Sequence, residues 1–567
     1  MPDPQPILEP VVVKKSDVWA GAPDEVLLEF SSWDQPVNYL VGRNGTSKSR
    51  TARAIANKVA GSRHLSTDRL VGLMNFLVFP WGAEQQPFKG LPLDDEARQQ
   101  GLSRTAQSGV ATRELYSLRD RPDVWLRVAA FIRRTLCRDV ELREMSGFLD
   151  PVIRIRDTEY SLLRDEGHGL RELLVLLTAI YSDDWSLLVL DEPELHLHPA
   201  MARLCIGELE RECRKSGRHA IVVTHEPLLV NPTSAEDLGG IWLFQLDAPP
   251  MPFRSFVTDG QVDRVTASMA RNPRIIGQLV FSPRPVLVEG ILDVAAMTTA
   301  VQRSQEPEAI AQTDLIDCKG NGSVALWYTI AKKAGLDFRA VGDLDCILDS
   351  DVQHFMDGLP EISQRYRKEL FIEPASTSAV VRPLFQAMNA AGVPVDRTKR
   401  AEWLANEVQN DTGHSARIKK VVAVWRDLDF WIHEQGTLED VLGIDAKQVE
   451  AVITAANTPG AIDEVTNWAS YRLDPKGEVE ELLGAAVERI AHRILEALRM
   501  SPDLQFTRPV GGTADSDSRL VDIAPLGDSG RHRLTVRTPV EFEGYWLEFD
   551  RTTPSEQMVL HPPVDDA

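Results

Sequence analysis

The chain has 567 residues, 43% of them hydrophobic and 26% charged, with a formal net charge of −22. That length exceeds what one hydrophobic core serves and predicts two or three domains, with the apolar content of an ordinary water-soluble protein. The acidic balance excludes nonspecific coating of nucleic acid by the whole surface, and no uncharged apolar run approaches the ~20 residues of a bilayer span. Cys137, Cys205, Cys213, Cys318 and Cys346 form no CxxC pair and read as reduced buried thiols. The opening MPDPQPILEP lacks the basic-then-apolar pattern of a signal peptide, so a cytoplasmic location without membrane attachment is expected.

The first half alternates short apolar strands with helices, the pattern of an open, mainly parallel sheet. A strand over Asn38–Val41 feeds a glycine-punctuated turn, and Ser49–Ala60 follows as a helix. Ser186–Leu190 predicts a buried strand, Ala200–Lys215 a helix, Ala220–Thr224 a strand ending at His225, and Gly240–Leu246 a further strand. A second βα series has strands at Val286–Val288, Thr313–Ile316 and Phe338–Val341, with helices at Leu292–Arg303 and Val324–Ala334. The stretch Asp351–Ile432 reads as a largely helical insertion, Glu478–Leu498 as an amphipathic helix, and the region after Pro502 as a small β-rich appendage.

Gly42–Ser49, GRNGTSKS, has the spacing of a phosphate-binding loop, with Ser47 in place of the last glycine. In such a loop the backbone over Gly42, Asn44, Gly45, Thr46 and Ser47 cradles phosphates, Lys48 reaches the β/γ oxygens, and the Ser49 hydroxyl binds Mg²⁺. In LLVLDEPELHLHP four apolar residues lead into Asp191 and Glu192. Asp191 then reads as a Mg²⁺ ligand and Glu192 as the group that polarises the attacking water. His225, closing the next strand, is placed to sense the γ-phosphate.

Further on, PVLVEGILD puts Glu289 at a strand end with Asp293 four residues later, and VGDLDC puts Asp343 and Asp345 on one face of another strand. Carboxylates converging at the ends of parallel strands repel one another unless hard cations neutralise them, which points to Mg²⁺ or Mn²⁺ rather than zinc. Two such ions clamp the attacking and leaving oxygens of a phosphodiester. Between Gln364 and Arg426 there are 11 Lys/Arg against 6 Asp/Glu, including RYRK, RTKR and RIKK, and a second basic stretch runs from Arg104 to Arg143. In so acidic a chain these are the DNA-facing surfaces to expect.

The phosphate loop, the DEP strand and His225 resemble the ABC-type ATPases, in the branch with RecF, SMC and OLD-family proteins, over roughly Val11–Asp247. There EPELHLHP takes the place of the transporter-type D-loop. The resemblance implies a signature motif that caps ATP across a dimer. The matching stretch is RDEGHGLRELLVLL, with Gly167 and Gly169 at a helix start and Glu166 where the family has serine. A carboxylate facing the γ-phosphate is repulsive, so Glu166 either points away or slows turnover. Gln85 and Gln86 are the residues available for the family's glutamine loop.

Glu289, Asp293, the KGNGSV turn, Asp343 and Asp345 resemble the TOPRIM fold of topoisomerases, primases and OLD-family nucleases. That resemblance implies a further metal ligand in WIHEQGTLEDVL, Glu439 with Asp440 in reserve, and a catalytic lysine, Lys476 ahead of Lys447. The expected chain is α/β: an ABC-type P-loop ATPase domain (1–280), a TOPRIM domain (281–500) with a helical insertion at about 351–432, and a C-terminal β-rich appendage (501–567). Such an architecture implies an ATP-regulated, metal-dependent DNA endonuclease or nickase using ATP and Mg²⁺ or Mn²⁺. It also implies double-stranded DNA as substrate and self-association through the ATPase domains. A second defence-system subunit would be a further partner, in anti-phage systems of the kind that include the Gabija nuclease subunit. The alternative is an ATP-binding sensor or scaffold for a partner effector, with Ser47 and Glu166 marking slow turnover. A third reading gives the TOPRIM site to RNA cleavage or strand passage.

Overall fold

The computed structural model describes residues 8–70, 91–92, 112–145, 148–246, 248–282, 284–304, 313–370, 376–410, 414–445, 447–460, 462–470, 521–525, 531–536, 546–550 and 559–561. Gln85, Gln86, Lys476 and the expected helix Glu478–Leu498 lie outside the described residues. Two compact units are present, Met1–Tyr471 and Arg472–Ala567. Among the described residues no helix is long and apolar enough to cross a membrane.

Strands β1 (Val11–Lys14) and β2 (Val26–Phe30) pair antiparallel. They are followed by β3 (Val37–Gly42), β4 (Ser62–Leu65), β5 (Leu91–Pro92), β6 (Asp139–Met145), β7 (Phe148–Ile155) and β8 (Thr158–Ser161). Next come β9 (Leu187–Asp191), β10 (His219–Val223), β11 (Ile241–Phe244) and β12 (Met251–Pro252). A six-stranded sheet has the order β12-β11-β3-β10-β9-β4, parallel except for the edge strand β12. Its inner strands are apolar at nearly every position because both faces are covered. Leu40, Leu187, Val189, Ile221 and Val223 face a core with the helix Lys48–Lys58 and the β1–β2 hairpin. Val37, Val41, Leu188, Leu190 and Val222 face the helices His168–Tyr181 and Pro199–Ser216.

The second sheet is made of β13 (Pro285–Val288), β14 (Asp314–Asp317), β15 (Arg339–Gly342) and β16 (Phe430–Ile432), all parallel in the order β14-β13-β15-β16. Alternation sends Val286, Val288, Val341 and Trp431 to a core with the helix Ile291–Ser304, and Leu287, Ala340, Phe430 and Ile432 to the opposite core. That opposite core is continuous with the one under the first sheet. Between β15 and β16 the chain makes the expected helices, but they end at Arg426, and Phe430–Ile432 belongs to the sheet rather than to the insertion.

One feature departs from the alternating βα expectation. Strands β5, β6, β7 and β8 form an antiparallel sheet around β7. Its sequences, DVELREM and FLDPVIRI, interleave charges and a proline with apolar residues, and their one uninterrupted buried stretch among the described residues is 151–153. The helix His168–Tyr181, by contrast, is buried along nearly its whole length. In the second unit the described residues form an antiparallel meander of β17 (Val521–Pro525), β18 (Arg531–Val536), β19 (Trp546–Asp550) and β20 (Val559–His561), with Arg531 paired to Glu548 across β18 and β19.

The two sheets of the first unit are joined by the helices Val262–Arg271 and Ile275–Phe281. A Cβ on Gly277 would stand 2.6 Å from the backbone oxygen of Pro227, just after the end of the β10 turn, so only glycine permits this approach. Asn272 Nδ2 donates to the Asp317 carbonyl at 3.0 Å, and Trp327 Nε1 donates to Ser268 Oγ at 2.8 Å. Gly277→Ala is therefore expected to lower unfolding stability by about 1–3 kcal/mol, read from urea midpoints. Gly239→Ala, with nothing within 4 Å of the added carbon, should change it little. Equal effects of the two would contradict the packing account.

Candidate functional site

The phosphate-binding loop leaves β3 at Gly42 and turns through Asn44, Gly45 and Thr46, whose hydroxyl donates to the Arg43 carbonyl at 2.8 Å. Ser47 has φ 69° and ψ 19°, the left-handed conformation that the usual glycine adopts freely and that costs other residues roughly 1–2 kcal/mol. The chain keeps the loop geometry here despite the serine. Lys48, only 4% exposed, starts the next helix and donates from Nζ to the carbonyls of Gly42 and Arg43, both at 2.8 Å. Burial lowers its ammonium pKa to about 8, against the pull of Glu192 and Asp191.

Ser49 Oγ donates to Asp191 Oδ1 at 2.9 Å, joining the loop to the end of β9. Asp191 is buried, and desolvation raises its pKa while the Ser49 hydrogen bond opposes the rise. Glu192 has φ 47° and lies 3.5 Å from His225 Nε2. The pKa of His225 is lowered, first by burial and then by Lys48. Lys48, Ser49, Asp191, Glu192 and His225 thus meet at the carboxyl edge of β3, β9 and β10.

Sequence reading missed two supports of this edge. Glu194 accepts hydrogen bonds from Thr224 Oγ1 at 2.7 Å and from the His225 N–H at 2.9 Å, so the residue two past Glu192 holds the segment that follows β10. Arg69, wholly buried, donates to the carbonyls of Asp191 at 2.6 Å and Glu192 at 2.9 Å and pairs with Glu172 on the helix His168–Tyr181. Burial pushes Glu172 up to about 7, with Arg69 opposing. No local pattern around STDRL marks Arg69 in advance.

In the signature-like stretch Glu166 is engaged by neighbouring side chains. Its carboxylate pairs with Arg138 at 2.8 Å and accepts from the Tyr160 hydroxyl, so it is held within its own chain. A Cβ on Gly169 would stand 2.8 Å from the backbone oxygen of His196, which gives this glycine a packing role against the ELHLH turn. Gly167 caps the helix start. Most basic residues described between 127 and 138 are also engaged: Arg127 with Glu212, Arg133 with Asp139, and Arg134 with Glu208. In the helical insertion Arg365 pairs with Asp427 and Lys399 with Glu402, while Arg367, Lys368, Lys419 and Lys420 are exposed.

The second site lies at the carboxyl edge of β13, β15 and β16. Asp293, in the first turn of the helix Ile291–Ser304, accepts from the Gly290 N–H at 3.0 Å and is 7% exposed. Asp343 follows β15 and accepts from the Leu438 N–H at 3.0 Å. Single ligand atoms of Asp293, Asp343 and His433 lie within 4.8 Å of one another. His433 was not anticipated; its burial lowers the imidazole pKa to about 4, leaving the ring neutral. Asp345 is not placed by strand alternation, because β15 ends at Gly342 and Asp345 sits in the 3-10 turn Leu344–Leu348, accepting from Asn321 Nδ2 at 3.2 Å.

Glu289, Asp345 and Glu439 surround the cluster closely enough to raise Asp343, after burial and Asp293. Asp440, the reserve ligand, is instead the capping-box residue of the helix Leu438–Leu442, bonded to the N–H and hydroxyl of Thr437. Lys447 Nζ lies 3.7 Å from Glu439.

A hard cation fits this arrangement: clustered carboxyls repel one another here, and buried Asn321 Oδ1 has no hydrogen-bond partner among the described residues. Desolvation, with Glu289 adding to it, pushes Asp293 up to about 7, and Asp343 is raised well above the usual carboxylate range.

Two expectations follow. Ser47→Gly should keep or modestly tighten binding of a fluorescent ATP analogue, and Lys48→Ala should abolish it; unchanged binding in Lys48→Ala would reject the loop assignment. Without metal, the folded state holds protons on Asp293 and Asp343 that the unfolded chain has released. Stability is then full below the unfolded carboxylate range and falls as pH rises from about 4 to about 7. Added Mg²⁺ or Mn²⁺ must displace those protons, so the metal-induced rise in Tm should grow across the same window.

Residues 103–231 match the family described as "AAA domain, putative AbiEii toxin, Type IV TA system". An OLD nuclease from Thermus scotoductus is 26% identical over 222 residues, a match covering 35% of this chain and 40% of that protein. Less than half of that relative's length is therefore spanned. The described geometry around Lys48, Asp191 and Glu192 accords with an ATPase domain.

Proposed function

We propose that the chain is an ATP-regulated, divalent-metal-dependent DNA endonuclease or nickase of the OLD type. The observation that supports this most is the presence, in one compact unit, of two acidic edges at the ends of two parallel sheets. One edge carries a phosphate loop and its Lys48; the other carries clustered carboxylates whose charge a proton or a cation must neutralise. In the first site the loop and Lys48 hold the triphosphate, Ser49 and Asp191 hold Mg²⁺, and Glu192 orients the attacking water with His225 beside it. Gly167 and Gly169 belong to a surface through which a second copy would complete that site.

In the second site Asp293 and Asp343 would hold Mg²⁺ or Mn²⁺, with Glu289, Asp345 and Glu439 adding negative charge around them. A divalent ion there supplies Lewis-acid stabilisation and a water of lowered pKa. Lys476, outside the described residues, would meet the scissile phosphate, with Lys447, whose Nζ lies 3.7 Å from Glu439, as the alternative. Double-stranded DNA would follow the exposed cations of the insertion between Arg365 and Lys420. Phage defence alongside a second subunit is the biological setting we assign to this activity.

The test is incubation of supercoiled plasmid with Mg²⁺ or Mn²⁺, with and without ATP, beside Asp343→Ala and Glu192→Gln. Asp343→Ala should reduce nicking by more than about a hundredfold, since loss of even a supporting group costs ~10–100-fold at metal sites. Glu192→Gln should retain ATP binding, lose ATP turnover and alter the ATP dependence of cleavage. Cleavage that survives Asp343→Ala would remove the second site from the mechanism. ATP binding with no cleavage under any metal would favour a sensor or scaffold.

A further inference from the structure

We infer that His433 is a direct nitrogen ligand of the divalent ion at the second site, giving a mixed carboxylate–imidazole centre with Asp293 and Asp343. This inference rests on the reading of that edge as a metal site. Strands β15 and β16 run parallel with Gly342 opposite Ile432, so the next residues, Asp343 and His433, leave the sheet side by side. Alternation along both strands places them on the face of Val341 and Trp431, the face covered by the helix that carries Asp293. The backbone holds His433 there: its N–H donates to the Gly342 carbonyl at 3.1 Å, and its carbonyl accepts from Gly436 at 3.3 Å.

The side chain is 4% exposed and brings a ring nitrogen within 4.8 Å of a carboxylate oxygen of both Asp293 and Asp343. Among the described residues the ring has no hydrogen-bond partner that would otherwise account for its burial. A buried imidazole with a ring nitrogen near the carboxylates of buried Asp293 and half-buried Asp343 is a donor set for a first-row transition ion. Mg²⁺ prefers oxygen ligands and an octahedral shell, whereas imidazole binding strengthens from Mn²⁺ onward along the first row. The centre should therefore take Mn²⁺ in preference to Mg²⁺, and His433 is the residue that sets the preference.

The experiment uses the full chain without nucleotide, loaded with one equivalent of Mn²⁺ and examined by electron spin echo envelope modulation. The expected spectrum shows coordinated ¹⁴N that changes when the protein is grown with ¹⁵N-histidine. This pattern should be lost in His433→Gln and kept in His225→Gln. Mn²⁺ affinity, measured by calorimetry, should fall on the order of tenfold in His433→Gln, with Mg²⁺ affinity changing less. Mn²⁺ bound in an Asp343-dependent manner but without histidine nitrogen coupling would overturn the inference while leaving the metal-site reading in place. Failure to bind Mn²⁺, or binding indifferent to Asp343→Asn, would overturn both. The ¹⁵N comparison needs no substitution, so it decides the question even if His433→Gln does not fold.

Discussion

The seat of Gly277 on the carbonyl of Pro227 joins the two halves of the first unit, and the relation between its two acidic edges depends on it. Pro227 lies two residues after His225, whose ring stands 6.5 Å from that of Phe281 at the far end of the same short helix. From that helix the contacts continue through Asn272 to the Asp317 carbonyl at the end of β14. The turn after β14 then closes on the second site, where the Gly320 N–H donates to the Glu289 carbonyl at 2.8 Å. An unbroken series of packed and hydrogen-bonded groups thus runs from His225 to the second carboxylate cluster. A shared hydrophobic core lies on the same side.

The two edges solve the cost of buried carboxylates in opposite ways. At the first, Lys48 and Arg69 stand beside Asp191 and Glu192, and the Ser49 hydroxyl satisfies Asp191. At the second, Asp293 and Asp343 stand among other acids, and the described cation nearby, Lys447, is largely exposed. The first edge is balanced before any ligand arrives; the second keeps its protons or takes a cation. This difference accords with the anion-binding role proposed for the first edge and the metal-binding role proposed for the second. It also explains how a chain of net charge −22 can retain local anion-binding ground.

The sequence by itself determined the parts of the fold and site that depend on contiguous residues. A loop that cradles phosphates is one short segment, so Lys48 and Ser49 were readable from spacing. Four apolar residues before Asp191, and three before Glu289, announce buried parallel strands whose carboxyl ends must carry the polar chemistry. Only the tertiary structure decided what comes from distant segments. Arg69 reaches Asp191 across 122 positions of sequence. His433 meets Asp343 only because β16 returns beside β15 after five intervening helices. The same holds for Glu166, turned to Arg138 and Tyr160, and for Asp345, taken off the strand by a 3-10 turn. Local periodicity reports which way a side chain leaves its own strand or helix, and burial and strand register decide which side chains it meets.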